Sequence, residues 1–269
     1  MEYEIKPSER FKLGLREIWQ YRELFYFFAW RDIRVKYKQT VLGFAWALLQ
    51  PLAFMLVLTL VFRRNINDLS IPYPLFAFSG LIIWNVFTGG ITGAANSMVT
   101  NAHIIKKIYF PRLIIPVSSV LVALFDFLMT LPLLAALMIW YKVAPEWGNI
   151  WMLIPAILLA VLAATGPGCF LAALNVKYRD FRYVIPFLVQ LLLFVTPVIY
   201  PANYFSNPLV QKILALNPMS APVNMFRSFI TGETLNTELC LISIASAVVF
   251  MAAGLYVFRK TEKHFADLA

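Results

Sequence analysis

Long apolar runs alternate with short polar breaks along this chain. Runs close to the roughly 20 residues needed to cross a ~30 Å hydrocarbon core occupy 43–62, 72–95, 113–141, 150–174, 184–201 and 239–258. The pattern predicts an all-α integral membrane protein with six transmembrane helices. It divides the chain into an amphipathic region (1–42), a transmembrane domain (43–258) and a tail (259–269).

Three of the breaks carry a pattern of their own. In NAHIIKKIYFPRL, residues 101–113, Ile104, Ile105 and Ile108 fall at helical spacing, which predicts an amphipathic helix of about three turns. Near the N-terminus, Trp30, Ile33, Tyr37 and Val41 share one helical face, and Arg31, Arg34 and Lys38 another. Such a helix suits the headgroup plane, apolar side down and basic side toward anionic lipid. An ordinary solvated amphipathic helix is the plainer alternative. Segment 202–238 is too apolar for a free loop, as VQKILAL and APVNMFRSFI show, and Asn207-Pro208, Asn217-Pro218 and Pro222 punctuate it. Two short helices that dip partway back into the membrane are expected there. Broken backbone at that depth survives only inside protein or beside a water-filled cavity.

Composition strengthens the membrane assignment. The 269 residues are 61% hydrophobic and 14% charged, whereas a soluble domain is about 45–50% apolar and ~25% charged. The net charge of +9 raises nucleic acid or a membrane surface as partners, and its distribution selects the membrane. Segments 1–42, 96–112, 175–183 and 259–269 hold eighteen of the 23 Lys and Arg residues, and the intervening segments hold five. By the positive-inside rule, both termini and the 101–113 helix are cytoplasmic. Residues 1–42 lack the uninterrupted apolar core of a signal peptide, so the first span is expected to direct insertion.

Candidate chemistry is sparse. Asp126 is the only acid within the six spans, which is thin support for an ion-coupled relay. It either hydrogen-bonds a neighbouring helix or faces an aqueous cavity. No glycine precedes a lysine, so a GxxxxGK[ST] phosphate loop is absent. HExxH and DxD are absent too, and no metal or catalytic set is expected. Cys169 and Cys240 lie in apolar stretches and read as buried free thiols rather than as a disulfide or metal site. Gly89, Gly90 and Gly93 offer a surface for close helix contact. Gly166-Pro167-Gly168 is expected to break or kink its span. Both features serve packing or gating. Tyr73, Trp140, Tyr141, Trp147, Trp151 and Tyr200 near span ends read as interfacial belts.

Two stripes offer binding chemistry. Trp46, Gln50, Phe54, Val57 and Val61 follow helical spacing in the first span, as do Phe187, Gln190, Phe194 and Pro197 in the fifth. Aromatic rings stack on the C–H faces of sugars while amides bond hydroxyls, so a water-filled polysaccharide channel would use this mixture. Trp46, Gln50, Phe54, Phe187, Gln190, Phe194 and Tyr200 are its candidate lining. Ordinary packing, with glutamines bonding between membrane helices, is the alternative.

Four stretches resemble one family: RDIRVKYKQTVLGFAWALLQPL (31–52), YPLFAFSGLIIWNVF (73–87), IIKKIYFPRLIIP (104–116) and NVKYRDF (175–181). Together, collinear over nearly the whole chain, they resemble the permease subunits of ABC-2 type bacterial polysaccharide exporters, which move O-antigen, capsule or teichoic acid. The resemblance implies a homodimer of six-span subunits in the cytoplasmic (inner) membrane. It implies two copies of a separate ATPase subunit, which would hold the ATP and Mg; this chain itself would carry no cofactor. A lipid-linked glycan would pass between the two permeases. It further implies that 101–113 is similar to a coupling helix, with His103, Ile104, Ile105, Lys106, Lys107, Ile108, Tyr109 and Arg112 facing the ATPase. A plain positive-inside loop is the alternative. The N-terminal helix is similar to an interface helix carrying Trp30, Arg31, Arg34, Tyr37 and Lys38. An ABC-2 exporter of a lipid or drug, a membrane enzyme acting on polyprenyl-linked sugars, and a passive structural subunit are the competing readings.

Overall fold

A computed structural model describes residues 19–38, 43–62, 69–178 and 180–262. Val41 of the N-terminal apolar face, Arg179 and most of the predicted tail lie outside the described residues. Among the described residues the regular structure is helical, with no strand. In chain order the helices are α1 (Arg22–Lys38), α2 (Ala45–Phe62), α3 (Tyr73–Thr100), α4 (Ala102–Lys107), α5 (Ile114–Trp140), α6 (Leu153–Lys177, preceded by a 3₁₀ turn Trp147–Met152), α7 (Phe181–Val195), α8 (Pro208–Ala215), α9 (Ser220–Thr231) and α10 (Thr237–Glu262).

Five of these are long and apolar enough to cross a membrane: α2, α3, α5, α10, and α6 with its 3₁₀ turn. The predicted fifth span, 184–201, takes another form. Its helix α7 has 15 residues, about 22 Å at 1.5 Å per residue. Thr196 is extended (φ −84°, ψ 142°) because it precedes Pro197, which disfavours the α region before it. The chain then runs through buried, irregular backbone at Thr196–Ile199.

Lipid gives helices no hydrophobic reason to associate, so close backbone approach must supply the packing. The innermost helix is α3, 78% buried over its most apolar stretch, whereas α2 is 17% buried and lies at the edge. The predicted glycine surface divides its work between two neighbours. A Cβ on Gly89 or Gly93 would meet Ala123 at 3.1 Å or Ser119 at 3.3 Å, both on α5. One on Gly90 would meet Ala164 of α6 at 2.9 Å. Gly166-Pro167-Gly168 does not end its helix, for α6 runs through it to Lys177. Its glycines serve contact instead: Gly168 abuts Ala94 of α3, and Gly166 abuts Met251 and Gly254 of α10.

The punctuated segment forms two short helices. Asn207 caps α8, its Oδ1 accepting from the Leu209 amide at 2.9 Å, with Pro208 at the first helical position. Gly232 ends α9 in the left-handed region (φ 70°), where a side chain would be strained. A second, smaller core gathers Phe28 of α1, Ile105 of α4, Phe110, Ile114 of α5, Ala172 of α6 and Phe258 of α10. It seats the basic 101–113 segment against the ends of four longer helices.

Replacing Gly254 by Val should drive a side chain into the Gly166 carbonyl and cost about 1–3 kcal/mol or more. Thermal unfolding of the purified protein checks this. Gly148→Ala, at an exposed site with its nearest neighbour 3.6 Å away, should leave the transition unchanged.

Candidate functional site

A cleft of ≈ 320 Å³ opens between α1, α2, α3 and α5. Its α2 wall carries Trp46 and Gln50, its α3 wall Asn85 and Thr88, and its α5 wall Thr130 and Asp126. Lys36 and Tyr37 of α1 complete it. Asp126 is held from two sides: Lys36 Nζ pairs with Oδ2, and the Tyr37 hydroxyl donates to Oδ1. Of the two sequence alternatives for this acid, the structure therefore supplies both, a helix partner and a cavity. Burial, followed by the hydrogen bond to Asp126 and that carboxylate's charge, pushes the Tyr37 phenol above its ordinary pKa. The phenol thus stays neutral and able to donate. The Tyr37 ring also stacks on Phe44 at 4.5 Å.

The aromatic–glutamine stripes part company in the single chain. Trp46 and Gln50 line the cleft, while Phe54 lies beyond its lining and is exposed. Phe187, Gln190 and Phe194 are exposed on α7 and take no part in the cleft. Tyr200 turns back on α7, its hydroxyl donating to the Phe194 and Val195 carbonyls at 3.1 Å.

The basic loop departs from the three-turn expectation. Helix α4 spans six residues. Ile108 is extended (φ −130°, ψ 134°), and the chain turns again only from Pro111, whose carbonyl accepts from the Ile114 amide at 3.1 Å as α5 begins. Ile105 faces inward at 6% exposure, against Phe28, Phe110 and the other members of the second core. Ile104 packs on the same cluster. The outward apolar residues are Ile108, 61% exposed, and Tyr109, 84% exposed. His103, Lys106 and Lys107 are also exposed, and they stand on the same short helix. Both ends of the loop are tied down. Asn101 Oδ1 accepts from Arg31 Nη2 at 2.7 Å. The Arg112 amide donates to Glu262 Oε1 at 3.1 Å, and its guanidinium donates to the Glu262 carbonyl.

Helix α1 is likewise turned from its sequence expectation. Tyr37 leaves the supposed lipid-facing stripe and is buried on α5, drawn there by Asp126. Arg31 pairs with Asp32 at 2.6 Å. The outer face carries Trp30 with the Arg34 guanidinium 5.0 Å from its ring centroid, and Lys38 is exposed.

One residue the sequence reading passed over is Arg227. It lies on α9 at 4% exposure. Its guanidinium donates to the Pro197 and Val198 carbonyls and, at 3.1 Å, to that of Phe76. It also stacks 3.6 Å from the Phe76 ring centroid. Gly80 leaves the space it fills. Beside it, Asn217 Nδ2 donates to Thr196 Oγ1 at 2.6 Å and the Tyr73 hydroxyl to the Ile199 carbonyl at 3.1 Å. The broken backbone after α7 is thus satisfied by side chains. The one charged residue in APVNMFRSFI was the available signal. Among the described residues no group of three or more His, Cys, Asp or Glu is placed to hold a metal ion.

Comparison with known proteins now defines the class. The sequence profile described as ABC-2 type transporter matches residues 23–231, so the chain belongs to the ABC-2 type transporter family and is a multi-pass membrane protein. It is 31% identical over 260 residues to the O-antigen export system permease protein RfbA of Myxococcus xanthus, covering 94% of this chain and 98% of that one. It is 29% identical to an RfbA of Klebsiella pneumoniae, covering 88% and 92%. It is 23% identical to the polysialic acid transport protein KpsM of Escherichia coli, covering 87% and 91%.

Arg227→Met should strand buried carbonyls and cost about 2–5 kcal/mol, at roughly 1–3 kcal/mol for each unsatisfied group. The expected result is a fall of at least about 4 °C in the unfolding midpoint, with Arg227→Lys intermediate because a single ammonium cannot span the carbonyls that the fork reaches.

Proposed function

We propose that this chain is the permease subunit of an ATP-driven exporter that moves a lipid-linked polysaccharide, most closely an O-antigen, across the bacterial cytoplasmic membrane. One observation carries the reading: similarity to an O-antigen export permease extends over 94% of this chain and 98% of the relative. In this proposal two copies form the pathway, and two copies of a separate ATPase subunit hold ATP and Mg and supply the work. The absence of a phosphate-loop motif from the sequence supports a permease that depends on a partner for nucleotide chemistry.

The finer topology belongs to the same proposal. Helix α7, extended by the buried turn that follows it, serves as the sixth crossing segment. The charge bias places both termini and the 101–113 loop in the cytoplasm. Helix α1 then lies at the cytoplasmic interface, with Trp30, Arg31, Arg34 and Lys38 near headgroups. Helices α8 and α9 re-enter from the opposite side, and Arg227 supports this by satisfying irregular backbone away from water.

The glycan path is assigned to the faces that the single chain leaves open. Trp46, Gln50 and Phe54 on α2, with Phe187, Gln190 and Phe194 on α7, present rings for stacking and amides for hydroxyls; Tyr200 fixes the end of α7. On the cytoplasmic side Ile108 and Tyr109 form the apolar tip that enters a groove on the ATPase. Lys106, Lys107 and His103 lie beside it, while Ile104, Ile105 and Arg112 hold the tip in place.

Two outcomes test the proposal. Ile108→Asp combined with Tyr109→Asp should lower co-purification of the cognate ATPase at least about tenfold, a loss of about 1.4 kcal/mol; unchanged capture rejects the docking assignment. Gln50→Arg and Phe194→Arg should abolish surface glycan while the protein still reaches the membrane, and normal surface glycan in both rejects the path.

A further inference from the structure

The network around α1 joins the two regions just described. At one end, Arg31 donates to Asn101 at the start of the basic loop, and Phe28 packs against Phe110 with ring centroids 5.7 Å apart. At the other, Lys36 and Tyr37 grip Asp126 on the far wall of the cleft. Arg31 and Lys36 are five residues apart on one helix, about 7.5 Å along its axis. The same short rigid rod therefore touches the loop and forms a wall of the cleft.

We infer that α1 is a strap across the cleft: the Lys36–Asp126 pair, with the Tyr37 hydroxyl, latches its wall to α5, and the Arg31–Asn101 contact ties the strap to the basic loop. Displacing the loop would pull Arg31, shift α1 and open the cleft. The physical character of the latch suits this use. The Lys36 side chain is 49% exposed and that of Asp126 21% exposed. A pair partly in water is weakly held, so it opens and closes at little cost. Tyr37, by contrast, is buried at 7% exposure and gives the closed state a defined seat. Asp126, Lys36, Tyr37, Arg31 and Asn101 are thus positioning residues, acting on the cleft through α1. Displacement of a packed element between two discrete arrangements is a known way for a small shift at one site to reach another. The inference takes its purpose from the exporter reading, but its test does not depend on glycan or ATPase.

The test is thiol accessibility in the full chain reconstituted in lipid nanodiscs. Asn85→Cys, on the α3 wall of the cleft, is the reporter, and a water-soluble maleimide is the probe. Cys240 is replaced by Ser, and Cys169, 0% exposed, is the internal control. Adding Asp126→Asn should raise the reporter's modification rate by up to about fivefold, the upper end expected for the loss of one partly exposed ion pair. Asn101→Ala, which touches nothing in the cleft lining, should raise it similarly. The two together should raise it by about the product of the single effects, because both contacts hold the same rigid helix closed. The reversed pair Lys36→Asp with Asp126→Lys should fall between Asp126→Asn and the parent, because it regains the ion pair but not the Tyr37 hydrogen bond. The proposal is overturned by an unchanged rate in Asp126→Asn or in Asn101→Ala, by a double variant no faster than the faster single one, by a reversed pair as fast as Asp126→Asn, or by modification of Cys169, which would mean general loosening. Absence of glycan export by the unsubstituted chain with its ATPase, with all of these results intact, would instead count against the exporter reading.

Discussion

Close contact between α3 and its neighbours is the constraint on which the rest of the molecule depends. In a bilayer, apolar side chains gain little by leaving lipid for protein, so helices associate through contact distance and polar satisfaction. Gly89 and Gly93 bring α5 in on one side, and Gly90 with Gly168 brings α6 in on another. Gly166 then lets α10 approach α6 at Gly254. With α3, α5, α6 and α10 so fixed, α2 is left at the edge with an open face, and the cleft between α2, α3 and α5 follows from that geometry.

Polar groups then set the details that glycine contact leaves free. Arg227 fastens the irregular backbone after α7 to the start of α3, so a chain break is tolerated where water is scarce. Asp126 fixes α1 on α5 through Lys36 and Tyr37. Arg112 and Asn101 hold the two ends of the basic loop. Each contact joins elements distant in sequence, and together they place an exposed apolar tip, Ile108 and Tyr109, on a base packed against the ends of the longer helices.

Much of this was legible from residue order alone, because hydrophobic run length and charge asymmetry depend on the bilayer rather than on tertiary detail. The long helices, the two short helices of 202–238 and the glycine contact surface of α3 are of that kind. What escaped was set by partners distant in sequence. Periodicity places Ile104, Ile105 and Ile108 on one face, but the second core takes Ile105 inward and the helix ends at Lys107, leaving Ile108 extended. Tyr37 belongs by spacing with Trp30, yet Asp126, 89 positions away, turns it into the protein. Gln50 and Gln190 look equivalent in their stripes, but only Gln50 meets the cleft. Arg227 counted merely as a charge until the carbonyls it serves were in view.

In the proposed exporter this chain is a conduit whose work is done elsewhere: it would shape a polar path in the membrane and offer a contact to a nucleotide-hydrolysing partner. The most direct measurement is reconstitution of the purified chain in liposomes with its cognate ATPase and a lipid-linked O-antigen, following protection of the glycan from an external glycosidase. Protection that requires the chain, the ATPase and ATP together is the predicted result. Protection or glycan turnover by the chain without the ATPase would contradict it.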